Sequence, residues 1–244
     1  MYLHEKIRER VRRKKVAIGL YRVDETSEER IMRAVKLADF AETVVVDEGE
    51  RTEKELFKLV ESGEVHAIVR GTARASKLLE VLRVKHNPLR VGIFETASGT
   101  LFLLSPVGVD EGKNVTEKLK LIEYSKQLAE QLGIPKKVAV LAGGRYGDVG
   151  RYEIVDRSLA EAELVAKLSG GENLEIRIED AVEKGIVIAP DGISGNLIFR
   201  SLCYLGGGKE YGAVYCGLPY RIVDTSRNQT AEGFARAIAV ATLL

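Results

Sequence analysis

The sequence predicts an α/β protein with parallel-type sheets flanked by helices, divided between two lobes. Three observations predict it. Apolar runs of strand length alternate with stretches of helical spacing along the chain. That βαβα order suits parallel strands, which need crossover helices between them. Two adjacent apolar strands interrupt the order in the middle, and 244 residues suffice for one large core or two small ones.

Lys15 to Leu20 (KVAIGL) forms the first strand, and Glu28 to Phe40 has helical spacing through Ile31, Val35 and Ala38. Thr43 to Val46 is a second strand, Glu53 to Glu61 a second helix, and Val65 to Val69 a third strand feeding a loop and helix in RGTARASKLLEVL. LRVGIFE and TLFLLS, separated by Thr96 to Gly99, suit an antiparallel hairpin. A long helix from Val115 to Leu132 follows, stopped by Gly133 and Pro135. Then come strand Lys137 to Leu141, a glycine-rich loop, a helix near Glu153 to Leu168, strand Ile186 to Ala189, a helix through Leu205, and strand Ala213 to Cys216. NQTAEGFARAIAVATLL closes the chain as one helix.

Composition narrows the function classes. Lys and Arg total 37 against 36 acidic residues, so no global field draws in nucleic acid. The one strongly basic run, Arg8 to Lys15, reads as the solvated face of an amphipathic helix. No apolar run approaches the roughly 18 residues of a membrane helix, and no cleavable leader follows the basic start, so a cytoplasmic protein is expected. Cys203 and Cys216 lack metal or disulfide spacing, and His4, His66 and His86 stand beside no serine or cysteine nucleophile. No metal site is expected.

Ligands of open parallel sheets bind beyond the carboxyl ends of the strands, and four such loops carry unusual polar content. In VRGTARAS, Arg70 and Arg74 flank Gly71 and Thr72 ahead of a helix, where a phosphate could meet backbone N–H groups and guanidinium; a glycine turn with solvated arginines is the equal alternative. In LAGGRYGDVGRYEIVDRS, Gly144 and Arg145 sit in a loop that lacks the Walker Gly-Lys-Ser/Thr, while Asp156 and Arg157 can pair with neighbours on the next helix. In APDGISGN, Ser194 can cap the helix, which leaves Asp191, Gly195 and Asn196 to be explained. In IVDTSRNQTAEGF, Thr225, Ser226 and Arg227 put two hydroxyls and a cation before the last helix, a set that suits a phosphate or a developing oxyanion.

Taken together, the last two loops resemble the phosphate acetyltransferase and butyryltransferase family. Its Pro-Asp-x-x-x-Gly-Asn segment is matched by Pro190, Asp191, Gly195 and Asn196, and its Ser-Arg pair by Ser226 and Arg227. VRGTARASKLL and GIFETASGTLFLLSP resemble its first loop and its paired strands, so the likeness runs from about Val65 onward. GDVGRYEIVDRSLAEAE followed by APDGISGNLIFRSL further resembles a methanogen, hence archaeal, group called methyltransferase-related, whose name implies association with a methyltransferase. The resemblance implies the two-domain isocitrate and isopropylmalate dehydrogenase-like fold, with 1–87 plus 220–244 in one domain and 88–219 in the other, and a homodimer.

It also implies a reaction, acyl transfer between phosphate and coenzyme A, with coenzyme A a substrate and no tightly bound cofactor. Arg227 would neutralise the phosphate, Ser226 would donate a hydrogen bond, and Asp191 and Asn196 would position them from the facing domain. Two departures stand out: the family's first-loop His is Arg74 here, and its acidic base falls on Gly233. Glu232 is the substitute, turned by roughly 100° on a helix. A methyltransferase-associated protein that binds a phosphorylated or coenzyme-like ligand without catalysis is the alternative. A metal- and NAD-dependent decarboxylating dehydrogenase on the same fold ranks last, because its preceding His-Gly pair and magnesium carboxylates are missing.

Overall fold

The computed structural model describes residues 14–244, so Arg8 to Arg13 of the basic run and His4 lie outside the described residues. In chain order the strands are β1 (Lys15–Gly19), β2 (Glu42–Val46), β3 (Ala67–Val69), β4 (Leu89–Glu95), β5 (Leu101–Ser105), β6 (Lys137–Val140), β7 (Glu172–Asn173), β8 (Gly185–Ile188), β9 (Lys209–Cys216) and β10 (Ile222–Asp224). The helices are α1 (Ser27–Leu37), α2 (Thr52–Glu61), α3 (Ala75–Arg83), α4 (Val115–Leu132), α5 (Glu153–Ser169), α6 (Ile178–Ala181), α7 (Gly192–Tyr204) and α8 (Ala231–Leu243). The chain divides into two compact units, one reaching Pro88 and resuming at Tyr211, the other spanning Leu89–Glu210.

The first unit orders its strands β2-β1-β3-β10-β9, all parallel except β9. Val16, Ala17 and Ile18 are fully buried, as befits a strand covered on both faces. One face packs on α2 and α3 through Leu56, Phe57, Val60, Leu78 and Leu82. The other is covered by α8, on which α1 packs in turn. Almost all of α8 is buried, because its alanines let the backbone approach the sheet closely while Phe234 and Ile238 fill the space between. Burying each of those two side chains contributes about 1.5–3 kcal/mol.

The chain rejoins this unit at Tyr211, ahead of the expected Tyr220. The reason is β9, which starts at Lys209 and runs antiparallel to β10 with Val214 opposite Val223 and Ala213 opposite Asp224. Lys209, Glu210 and Gly212 hide its first half from a hydrophobic pattern. Gly212 is required there, since φ is +93° and an added Cβ would meet the Asp224 carbonyl at 2.9 Å.

The second unit orders its strands β4-β5-β8-β6-β7, with β4 and β5 forming the expected antiparallel hairpin and the rest parallel. Helix α4 occupies the residues its sequence predicts: Asn114 caps it by accepting from the Glu117 N–H, and Gly133 ends it in the left-handed region at φ +69°. The two-residue β7 and the single-turn α6 are too short to leave a periodic signal. Helix α7 is the unusual element. It is largely apolar, yet only Gly192 and Gly195 are buried, while Ile193 and Leu197 are each 60% exposed and the following Leu205 is 88% exposed. Among the described residues no helix is long and apolar enough to cross a membrane.

At the amino end of β3, the Nε2 atom of His66 lies 2.8 Å from Lys14 Nζ. Burial, then the charges of Lys14 and Arg221, lower the His66 pKa from 6.5 to about 4. Between those values the unfolded chain binds a proton that the folded chain refuses, so this residue's contribution to stability is lost as pH falls from 6.5 towards 4. A His66→Gln variant is therefore expected to show a flatter melting-temperature profile over that interval than the parent. Parallel profiles for the two proteins would refute the assignment.

Candidate functional site

In the first unit, the segments that follow β3 and β10 lie side by side at the carboxyl ends of the strands. Buried Arg70 donates through Nε to Asp224 Oδ1 and through Nη1 to the Ala73 carbonyl at 2.6 Å. Gly71 has φ +62°, and a Cβ there would collide with the Gly19 carbonyl, so only glycine lets the loop cross β1 this closely. Thr72 Oγ1 accepts the Tyr21 N–H at 2.9 Å. Thr225, also buried, donates its hydroxyl to the Gly71 carbonyl at 3.0 Å. Arg70, Gly71, Thr72 and Thr225 are thus brought together, but as mutual supports.

Arg74 is equally engaged. Glu53, only 2% exposed, accepts from the Arg74 backbone N–H at 2.7 Å, from Nε at 3.0 Å and from Nη2 at 2.8 Å. Glu50 takes Nη1, its carbonyl takes Nη2 at 3.1 Å, and the guanidinium lies 4.5 Å from the Tyr21 ring centroid. Hydrogen bonds donated to Glu53 and then to Glu50 raise the Arg74 pKa above its ordinary value. Burial pushes Glu53 up, yet the Arg74 side-chain and backbone hydrogen bonds more than offset it and its pKa is lowered. Two carboxylates therefore already neutralise the cation read from sequence as a phosphate ligand. Nearby, Arg22 bridges Glu28 and Asp47 at 2.9 Å each.

The turn between β10 and α8 differs. Arg227 is exposed, and among the described residues its guanidinium has no ion-pair partner. Ser226 is half-buried and accepts the Asn228 N–H at 3.4 Å, while its carbonyl accepts the Gln229 N–H at 3.2 Å. Thr230 caps α8 by accepting the Gly233 N–H at 3.1 Å, so the helix starts at Ala231, later than NQT suggested. Glu232, exposed on the first turn, is paired with Arg33 at 2.6 Å. Its own backbone N–H, and then Arg33 against an opposing burial effect, lower its pKa.

In the second unit, the capping role expected of Ser194 belongs to Asp191, whose Oδ1 accepts the Ser194 N–H at 2.7 Å. The helix begins at Gly192, which puts Asp191 at the cap and Ser194 inside the first turn. Asn196 Nδ2 donates to the Val107 carbonyl at 3.0 Å. A Cβ on Gly192 or Gly195 would collide with the Gly108 or Pro106 carbonyl, so this motif docks the start of α7 onto the segment after β5. Buried Lys118 adds a tie to the Pro190 carbonyl and pairs with Glu161 at 3.0 Å. In the loop after β6, Gly144 packs against Val155, and exposed Arg145 donates its backbone N–H to Asp148 at 2.9 Å. Asp156 accepts the Gly150 N–H at 3.0 Å and Arg157 pairs with Glu153 at 2.5 Å, the neighbour pairing expected. Among the described residues no group of three or more His, Cys, Asp or Glu is placed to hold a metal.

No family model matches the chain. It is 41% identical over 218 residues, 86% of its length and 79% of the relative's, to the "Putative methyltransferase mtx subunit X" of Methanosarcina barkeri. The Methanosarcina mazei protein of the same name is 39% identical over 261 aligned positions, covering 97% of this chain and 92% of that one. The chain belongs to the mtx subunit X family. Among solved structures, the branched-chain phosphotransacylase from Enterococcus faecalis V583 superposes with a TM-score of 0.71 at 17% identity, covering 94% of this chain and 98% of that one. At that identity the likeness shows the fold alone, and it is the fold expected from the sequence resemblance.

Family membership leaves each residue's role to its own geometry. Glu53, Tyr21, Arg30 and Lys118 escaped sequence reading because each looks like an ordinary helix or loop residue until its partner is known. The Arg70–Asp224 pair has the largest energetic consequence: its side chains are 6% and 10% exposed, and losing one partner leaves a desolvated charge. Arg70→Met and Asp224→Asn are each expected to cost about 3–5 kcal/mol in urea unfolding. In a double-mutant cycle the double variant should cost no more than either single, because no stranded charge remains. Additive single effects would show that the two charges do not support each other.

Proposed function

We propose that the turn between β10 and α8 binds the phosphate of a small phosphorylated ligand, and that the chain works as a methyltransferase-associated ligand-binding subunit of methanogen C1 metabolism. One observation carries the first part. Arg22, Arg70 and Arg74 of the same unit are held in ion pairs, whereas Arg227, the residue after Ser226, is exposed and without an ion-pair partner among the described residues. A guanidinium and a hydroxyl just ahead of a helix amino end suit a phosphate oxygen array. The second part is supported by the names its relatives carry.

A catalytic reading shares the same anchor. Coenzyme A would lose its thiol proton to a base, its sulfur would attack the carbonyl of an acyl phosphate, and phosphate would leave with the electron pair of the broken C–O bond. Arg227 would neutralise the departing phosphate and Ser226 would donate to it. The base is the weak point: Glu232 is tied to Arg33 and its pKa is lowered, which makes it a poor proton acceptor. That observation favours binding over turnover. No tightly bound cofactor is required in either reading.

A thermal-shift series with phosphate, acetyl phosphate and coenzyme A, run beside a coupled assay for thiol release from acetyl-coenzyme A and phosphate, separates the two. The binding reading expects a phosphate-dependent rise in melting temperature, lost in Arg227→Ala, and no thiol release. Turnover that falls about a hundredfold or more in Arg227→Ala would establish the catalytic reading instead. A phosphate response unchanged in Arg227→Ala would refute both.

A homodimer belongs to the same proposal. It is supported by α7, whose Ile193, Leu197 and following Leu205 form an exposed apolar ridge with Arg200 as the helix's only charge. Leu197→Glu is expected to convert a sedimenting dimer to a monomer at an unchanged melting temperature. A parent protein that sediments as a monomer would dismiss the dimer.

A further inference from the structure

The turn that carries Ser226 and Arg227 is gripped by a residue outside every motif considered above. Arg30, on α1, donates from Nη1 to two carbonyls of the turn, Arg227 at 2.9 Å and Gln229 at 2.8 Å. Its Nη2 pairs with Asp24 at 2.8 Å. Asp24 is fixed in turn, accepting from the Thr26 N–H at 3.0 Å, the Thr26 hydroxyl at 2.8 Å and the Ser27 hydroxyl at 3.0 Å. The Arg30 side chain is only 19% exposed, so the grip is largely shielded from solvent.

We infer that Arg30 is a positioning residue for this anion site, holding two peptide carbonyls of the Thr225–Thr230 turn on its own side and so fixing the direction of Arg227. The inference rests on the reading of Arg227 as the phosphate anchor. A planar peptide points its C=O and its N–H in opposite directions, so a carbonyl pinned to Arg30 also fixes the N–H that follows it. Without the pin, a peptide flip would turn a carbonyl oxygen towards the bound anion, where like partial charges repel. Nη1 serves both carbonyls while Nη2 is held by Asp24, so the rigid guanidinium fork ties the turn to Asp24 in one fixed geometry; a lysine ammonium is a single point charge on a flexible stem. Arg30 pairs with Asp24, and Arg33 on the same helix pairs with Glu232 of α8.

The test uses the full chain with Arg30→Gln, Arg30→Lys and Arg30→Ala, inorganic phosphate as the probe, and two readouts: calorimetric phosphate affinity and hydrogen exchange of the segment 222–234. Arg30→Gln is expected to weaken phosphate about tenfold and to speed exchange selectively within 226–230. Arg30→Lys should recover part of the affinity but not the exchange protection. Added guanidinium should restore phosphate affinity to Arg30→Ala, where sodium at equal ionic strength does not. Parent-like affinity and exchange in Arg30→Gln would overturn the role of Arg30 while leaving Arg227 as the anchor. If the parent protein binds no phosphate, the anchor reading falls and takes the site role of Arg30 with it. If Arg30→Gln fails to fold, Arg30→Lys compared with the parent decides the matter by the same two readouts: unchanged affinity and exchange there would overturn the role.

Discussion

The ion pair between Arg70 and Asp224 is the constraint on which the rest of the candidate site depends. It joins the ends of two neighbouring parallel strands, β3 and β10, in a setting nearly closed to water. Such a pair gives back in attraction roughly what its desolvation costs, so its value lies in fixing register more than in net stability. Once Arg70 faces Asp224, Gly71 must pass over β1 and Thr225 falls within reach of the Gly71 carbonyl. The Ser226–Arg227 turn then leaves the sheet at a defined place.

The pairing of charges at this end of the first unit decides what a ligand can meet. Positive residues are plentiful there, yet Arg74 lies between Glu50 and Glu53, Arg22 between Glu28 and Asp47, and Arg30 against Asp24. Each such pairing lowers the field available to an anion. Arg227 is exposed and has no ion-pair partner among the described residues, which is what the proposed phosphate reading rests on. One fold hosts many chemistries, so the phosphotransacylase likeness informs the scaffold while these local pairings inform the function.

Much of the scaffold was legible in the sequence because its signals are local. Asn114 and Gly133 bound α4 by cap chemistry that needs no tertiary information, and the buried runs of β1, β4 and β8 read directly as strands. The start of β9 was not legible, since Lys209, Glu210 and Gly212 break the apolar pattern. The site was legible as a set of loops but not as a set of roles. Arg70 and its carboxylate are 154 positions apart, and Arg74 and Glu53 are 21 apart, so nothing in local spacing reveals that these cations are taken. The Asp191 and Ser194 exchange has a different origin: both are good capping residues, and the choice turns on whether the helix starts at Gly192 or later.

The most direct test of the claim that Arg227 offers its charge while its neighbours do not is a phosphate titration followed through the Nε–Hε resonances of assigned arginine side chains. The expected result is saturable movement of the Arg227 signal while those of Arg70 and Arg74 stay in place. Movement of Arg74 or Arg70 with a stationary Arg227 would contradict it.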